Sequence, residues 1–188
     1  MGKIFWFDVE TTGINCTTNA IIQLSGIMEF DREVIEEVNY QIRPFPGAVI
    51  EKKALEVNGI KEEDLISFAP HRNVYFSFIN FLNKYVDKYT KEDKIILAGY
   101  NVGFDEGFLR KFFTMNGDRY FGSYFAWPKI DVAHVIAEEY VKGLRLSNFR
   151  LETICEKYGV AISAHDAMSD IRATRDLYYK INGGVPIS

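Results

Sequence analysis

Long apolar runs are missing from this chain of 188 residues. The longest hold about four or five residues, far short of the ~20 that span a bilayer. The start lacks the basic-then-apolar layout of a signal peptide, because Asp8 interrupts the apolar run at once. Gly2 follows the initiator Met, but Trp6 stands where a myristoylation signal needs Ser or Thr. Only two cysteines are present, Cys16 and Cys155, in no CxxC and no metal-ligand spacing. That speaks against a disulfide scaffold and a cysteine-ligated metal site, and it reads as reduced thiols in a cytoplasmic protein. A basic surplus is also absent: 22 Lys and Arg stand against 26 Asp and Glu, for a formal charge of −4. Taken alone, this argues against broad electrostatic binding to nucleic acid. No internal repeat and no low-complexity linker divides the chain. The length suits one domain with a real core, expected over residues 1–182, with 183–188 as a short, frayed tail.

Apolar residues make up 47% of the chain, the level of a globular protein. Aromatics reach 15%, enough to fill a core and leave some rings for stacking. "KIFWFDVE" is apolar on both faces, as in a buried strand. "NAIIQLSGIMEF" and "EVIEEVNYQIRPF" read as two more strands joined as a hairpin near "DREV". In the second, Val38, Tyr40 and Ile42 alternate with Asn39, Gln41 and Arg43, and Pro44 and Pro46 end it. "IEKKALEVNGI" is a short helix closed by Gly59, and "KEEDLISFAP" a second short piece. "NVYFSFINFLNKYVDKY" has helical spacing. "KIILAGYN" is a further buried strand. "GFDEGFLRKFFTMNG" is a helix with Gly117 past its end. "WPKIDVAHVIAEEYV" supplies a brief strand and a helix, Leu151 to Tyr158 an amphipathic turn stopped by Gly159, and Asp166 to Ile181 the last helix. An antiparallel meander followed by β-α alternation predicts an α/β fold, a mixed sheet flanked by helices.

Against this framework three acidic stretches stand out. In "FDVETTG", Asp8 and Glu10 project from the same face of a strand. Two like charges beside an apolar strand repel each other and resist burial, and a hard divalent cation removes both costs. The plain alternative is a strand end whose acids are solvated or cap a turn with Thr11 and Thr12. In "GYNVGFDEGF", a strand runs out at Gly99, Asn101 is an N-cap candidate, and Asp105 falls in the first helical turn, where the helix dipole alone would favour it. In "HDAMSDIRATRDLYY", His165 and Asp170 lie about 140° apart if both are helical, so they converge only if His165 is in the preceding loop. Asp166 there reads as an N-cap.

Together, "FDVETTG", "NVGFD" and "HDAMSD" resemble, in order, the three motifs of the DEDD-type 3′–5′ exonucleases, in the histidine-containing subgroup related to the proofreading subunit of bacterial DNA polymerase III. The likeness runs from Lys3 to about Ile181. It implies a ribonuclease H-like fold with a mixed five-stranded sheet. It also implies metal-dependent hydrolysis from the 3′ end of single-stranded DNA or 3′ overhangs, releasing 5′-mononucleotides. The four acids map onto Asp8, Glu10, Asp105 and Asp170, as ligands of two divalent cations, Mg²⁺ with Mn²⁺ as substitute. Asp8 would touch both ions, Glu10 and Asp170 would each help hold one, and Asp105 would act largely through water. His165 maps onto the general base. Substrate contacts are implied at Thr11, Thr12 and Gly13, at Val57, Asn58 and Ile60 in "LEVNGIKEEDL", and at Asn101 and Phe104. The chain departs from the family's usual pattern at Asn58 and Tyr100, where many members have His; neither change removes a ligand.

The resemblance also answers the charge objection. Of the 26 acids, setting aside the four candidate ligands leaves 22, equal to the 22 basic residues. An enzyme that grips only the last nucleotides needs few phosphate contacts. The implied partner is a single-stranded nucleic acid 3′ end, with a DNA polymerase as a second; no membrane is implied. RNA or short oligonucleotides as substrate, and a polymerase-associated proofreading or binding module, stay open beside the main reading.

Overall fold

Asp31 and Arg32 both adopt positive φ, 49° and 74°. This is the mirror-image turn whose twist matches two antiparallel strands. It joins β2 (Ile21–Phe30) to β3 (Glu33–Arg43), while β2 pairs on its other side with β1 (Lys3–Thr11). A computed structural model describes residues 2–163 and 167–183. Its remaining elements are α1 (Lys52–Asn58), a 3₁₀ turn (Glu62–Ser67), β4 (Ala69–Pro70), α2 (His71–Asn83), β5 (Ile96–Gly99) and α3 (Val102–Met115). After these come α4 (Phe121–Tyr124), β6 (Ile130–Asp131), α5 (Val132–Val141), α6 (Leu151–Tyr158) and α7 (Ala167–Ile181). The strand order is β4-β3-β2-β1-β5-β6. The meander is antiparallel, and β5 and β6 add to β1 in parallel.

Both faces of β1 are covered, which is why its first half reads as an unbroken apolar run. Phe5, Phe7 and Val9 enter the core shared with α2 and α3. Trp6 enters a second core formed by α5, α6 and α7. Asp8 and Glu10 continue the Trp6 side past the point where β5 still pairs with β1, since that pairing ends at Trp6↔Ala98. At that end Gly99 comes so close to β1 that an added Cβ would meet the Phe7 carbonyl oxygen at 3.0 Å. A side chain there would push the two strands apart.

The mixed sheet and flanking helices agree with the sequence, but there are six strands rather than five. The additional one, β4, pairs with β3 through Ile42↔Ala69 and Arg43↔Pro70. It lies at the sheet edge, where proline's missing N–H is tolerated. Helix α2 also stops earlier than its periodicity suggests. Lys84 turns to Glu36 at 2.8 Å, and Val86 is drawn into the core at 4% exposure. The four-residue α4 carries no periodic signal and is not evident from the sequence.

Candidate active site

Beyond Trp6, the side of β1 facing β5 has no strand partner. A backbone N–H left open there must find another acceptor. The N–H of Val9 donates to Asp105 Oδ1 at 3.1 Å. Asp105 lies in the first turn of α3, directly after β5, and is 4% exposed. The strand end that displays Asp8 and Glu10 is thus bonded at the residue between them.

Asp170 arrives from the other side, in the first turn of α7. Asp8 and Asp170 line one cleft of about 180 Å³, with Trp6, Gly99, Tyr100 and Leu151 around them.

The electrostatics follow from crowding. Burial raises the Asp8 carboxyl well above the usual carboxylate range, and the charges of Asp105, Glu10 and Asp170 raise it further. Burial pushes Asp105 up to about 7, against the lowering effect of the Val9 N–H and of its own backbone N–H; Glu10 and Asp131 add to the rise. All four sequence-selected acids therefore act on one place. Among the described residues, no group of three His, Cys, Asp or Glu is already assembled as a metal site. The fit to a metal lies in the donor chemistry: converging, mutually repelling carboxylates are the oxygen set that a hard divalent cation takes.

The loop behind the first motif is braced by polar groups. Thr12 is fully buried; its hydroxyl donates to the Val49 carbonyl at 2.7 Å and accepts from the Ala20 N–H at 2.9 Å. Thr11 is 7% exposed, and its hydroxyl donates to the Gly13 carbonyl at 2.7 Å. Both hydroxyls serve the loop itself. Gly13 is buried between Asn19 and Glu51. Asn58, at the end of α1, donates from Nδ2 to the Thr11 carbonyl at 2.9 Å, which ties that helix to the end of β1. Val57 is 56% exposed beside it, while Ile60 packs into a small cluster with Leu55, Leu65 and Phe68. Phe104 is half-buried, 5.0 Å from the Phe108 ring.

Asn101 occupies the N-cap position of α3, but in left-handed conformation, φ 57°, and without a side-chain cap. Its N–H is held instead by Asp131 Oδ1 at 2.9 Å. Asp131, at the end of β6, also caps α5 by accepting from the Ala133 N–H at 3.1 Å. Sequence reasoning passes over this fifth acid near the site. The signal is there: an acid between a short apolar strand and a helix, the same context as Asp105. His165 and the expected N-cap Asp166 lie outside the described residues. On one side of them, the Ser163 N–H donates to Ser169 Oγ at 2.8 Å, one position before Asp170.

Comparison with known proteins agrees with this geometry. The sequence profile described as Exonuclease matches residues 5–178. Ribonuclease T of Shewanella frigidimarina is 27% identical over 199 residues, covering 96% of this chain and 85% of the relative. DNA polymerase III PolC-type of Pediococcus pentosaceus is 29% identical over 179 residues, covering 95% of this chain. The chain spans only 11% of that polymerase. The structure of E. coli exonuclease I in complex with a dT13 oligonucleotide superposes with a TM-score of 0.78 at 22% identity. That match covers 95% of this chain and 40% of exonuclease I, so it shows a shared fold over less than half of the larger protein.

Proposed function

Because the chain belongs to the Exonuclease family, we propose that it removes 5′-mononucleotides from the 3′ end of single-stranded nucleic acid, DNA first, with two divalent cations, Mg²⁺ or Mn²⁺, held by Asp8, Glu10 and Asp170 and, largely through water, by Asp105. The observation that carries this reading is the convergence of four carboxylates on Asp8, at the end of a rigid central strand. When bound, the cations supply charge neutralisation at the phosphate and a more acidic water.

The chain's own residues do the rest. Asp8 and Asp170 line the cleft and, through the cations they would hold, would set where the scissile phosphate sits. Asp105, bonded to Val9, holds the strand end in place and adds negative charge one layer further in. His165 takes the proton of the attacking water near neutral pH. Thr11, Thr12 and Gly13 shape the loop against which the terminal nucleotide lies, with Asn58, Ile60, Asn101 and Phe104 around it and Val57 offering exposed apolar surface. The exonuclease domain is assigned to residues 1–182, in keeping with the profile match over 5–178, and 183–188 to a tail. No helix among the described residues is long and apolar enough to cross a membrane. Cytoplasmic residence is read from the two free cysteines. The similarity to the PolC-type polymerase makes a polymerase a candidate partner.

RNA is the second reading, favoured by the match to a protein named Ribonuclease T over 96% of the chain. One experiment tests both readings. Matched 5′-labelled single-stranded DNA and RNA are incubated with Mg²⁺, with Mn²⁺ and with EDTA. A ladder shortening from the 3′ end, absent in EDTA and lost in Asp170→Asn, is expected, and the faster substrate names the class. A folded protein that leaves both strands intact would refute the proposal.

A further inference from the structure

The stretch from Tyr140, near the end of α5, to Leu151, the first residue of α6, runs along the rim of the cleft, and the catalytic reading leaves it unused. It carries Lys142, Arg145 and Arg150 and no acid, in a chain whose formal charge is −4. Lys142 is paired with Glu139 at 2.9 Å. Among the described residues, Arg145 and Arg150 have no carboxylate within ion-pair distance.

Two rings lie beside these cations. Tyr140 is 41% exposed and Phe149 48%, with centroids 5.3 Å apart in an edge-on arrangement. The Arg145 guanidinium lies 5.6 Å from the Tyr140 ring centroid. It also donates to the Leu144 carbonyl at 3.1 Å, which orients it without neutralising it. The segment is not loose: Asn148 Oδ1 accepts from the Arg150 N–H and from the Thr153 hydroxyl, each at 2.9 Å.

The patch is continuous with the cleft. Tyr100 lines the cleft and donates its hydroxyl to the Phe149 carbonyl; Leu151, also in the lining, directly follows Arg150. Exposed rings interleaved with unpaired guanidinium groups suit an unpaired strand, whose bases stack and whose phosphates need cations. Resting on the exonuclease reading, we infer that this rim binds the nucleic-acid strand 5′ of the scissile phosphate. Arg145 and Arg150 contact the phosphates, and Phe149 and Tyr140 stack on the bases. A negatively charged polymer thereby gains a docking track on a protein with no general basic surplus.

The test compares dT2, whose one phosphodiester is the scissile one, with dT12, whose strand is long enough to cross the rim. Wild type, Arg145→Gln/Arg150→Gln and Phe149→Ala are assayed in Mg²⁺ over a range of KCl concentrations. For dT12, kcat/KM is expected to fall on the order of tenfold in each variant, mainly through KM, since stacking and phosphate contacts are each of that order. For dT2 it should stay within about twofold. The slope of log kcat/KM against log salt for dT12 should flatten by about 1.4 in the double variant, the value for two single-strand phosphate contacts. Equal losses on both lengths, or none on either, would overturn the inference and leave the exonuclease reading intact. Wild-type protein inactive on both lengths would instead overturn the exonuclease reading. Anisotropy of fluorescein-labelled dT12 then decides the rim by itself: binding lost in the double variant supports it, and binding by both proteins or by neither refutes it.

Discussion

The N–H of Val9 donates to the carboxylate of Asp105 across 96 positions of sequence, at 3.1 Å. The bond exists because β5 stops pairing with β1 at Trp6, so the next backbone donor on that edge has no strand to meet. It gives Asp105 two separable roles, acceptor and charge. Asp105→Asn keeps an acceptor oxygen and removes the charge; Asp105→Ala removes both. We expect Asp105→Ala to lose about 1–3 kcal/mol of stability, the cost of a buried donor left unsatisfied. Asp105→Asn should unfold at a urea midpoint no lower than wild type. Hydrolysis should fall steeply in both. Equal destabilisation of the two variants would show that the charge, not the bond to Val9, holds the strand end.

Crowding of carboxylates makes the metal-free protein pH-sensitive in a definite direction. An unfolded Asp titrates near 4, while Asp105 in the fold is pushed up to about 7 and Asp8 is also raised. Between those values the folded chain holds protons that the unfolded chain has released. The stabilising contribution is therefore complete below about pH 4 and is lost as the pH rises through about 7. In EDTA, melting should occur at a lower temperature at pH 8 than at pH 6. Mg²⁺ should raise the melting temperature at both, and more at pH 8. Asp8→Asn should narrow the gap in EDTA. A melting temperature indifferent to both pH and Mg²⁺ would remove the four acids from a common site.

Asp131 is the acid near the site that no motif marks. One oxygen accepts from the Asn101 N–H, at the entrance of the helix bearing Asp105, and from the Ala133 N–H that begins α5. Loss of an N-cap costs about 0.5–2 kcal/mol. Asp131→Ala should show that cost in chemical unfolding, together with a several-fold fall in hydrolysis as the start of α3 loosens. Asp131→Asn, which keeps the acceptor, should recover most of both. No recovery in Asp131→Asn would assign Asp131 to charge rather than to positioning.

Much of this architecture is legible in the amino-acid sequence itself. The strands β1, β2 and β3 show in their apolar patterning, and the end of α1 in a glycine, Gly59, held at φ 64°. Asp8 and Glu10 stand out as like charges on one face of an apolar strand, whereas Asp105 and Asp170, in first turns that the helix dipole favours anyway, stand out only through the resemblance of the three motifs taken together. What stays hidden depends on partners distant in sequence. β4 is two residues long and exists only through its pairing with β3. Glu29 and Arg175 read as ordinary charges on a strand and a helix, yet they are 1% and 5% exposed. Neither residue's neighbours in sequence announce the other, 146 positions away.

That buried pair offers the last prediction. Glu29 on β2 accepts from Arg175 on α7, from the Tyr179 hydroxyl and from Trp6 Nε1 at 3.2 Å. Arg175 also donates to the Arg32 carbonyl at 2.7 Å, in the hairpin turn. The network fastens α7, the helix of Asp170, to the strands on which Asp8 and Glu10 stand. Removing one partner leaves a charge buried with too few bonds, which costs about 3–5 kcal/mol. Arg175→Met should lose that much in urea unfolding. The double variant Glu29→Met/Arg175→Met should lose less than the sum of the single losses, because no lone charge remains. Strictly additive losses would mean that the two side chains stabilise the fold independently and that the pair is not what fastens α7.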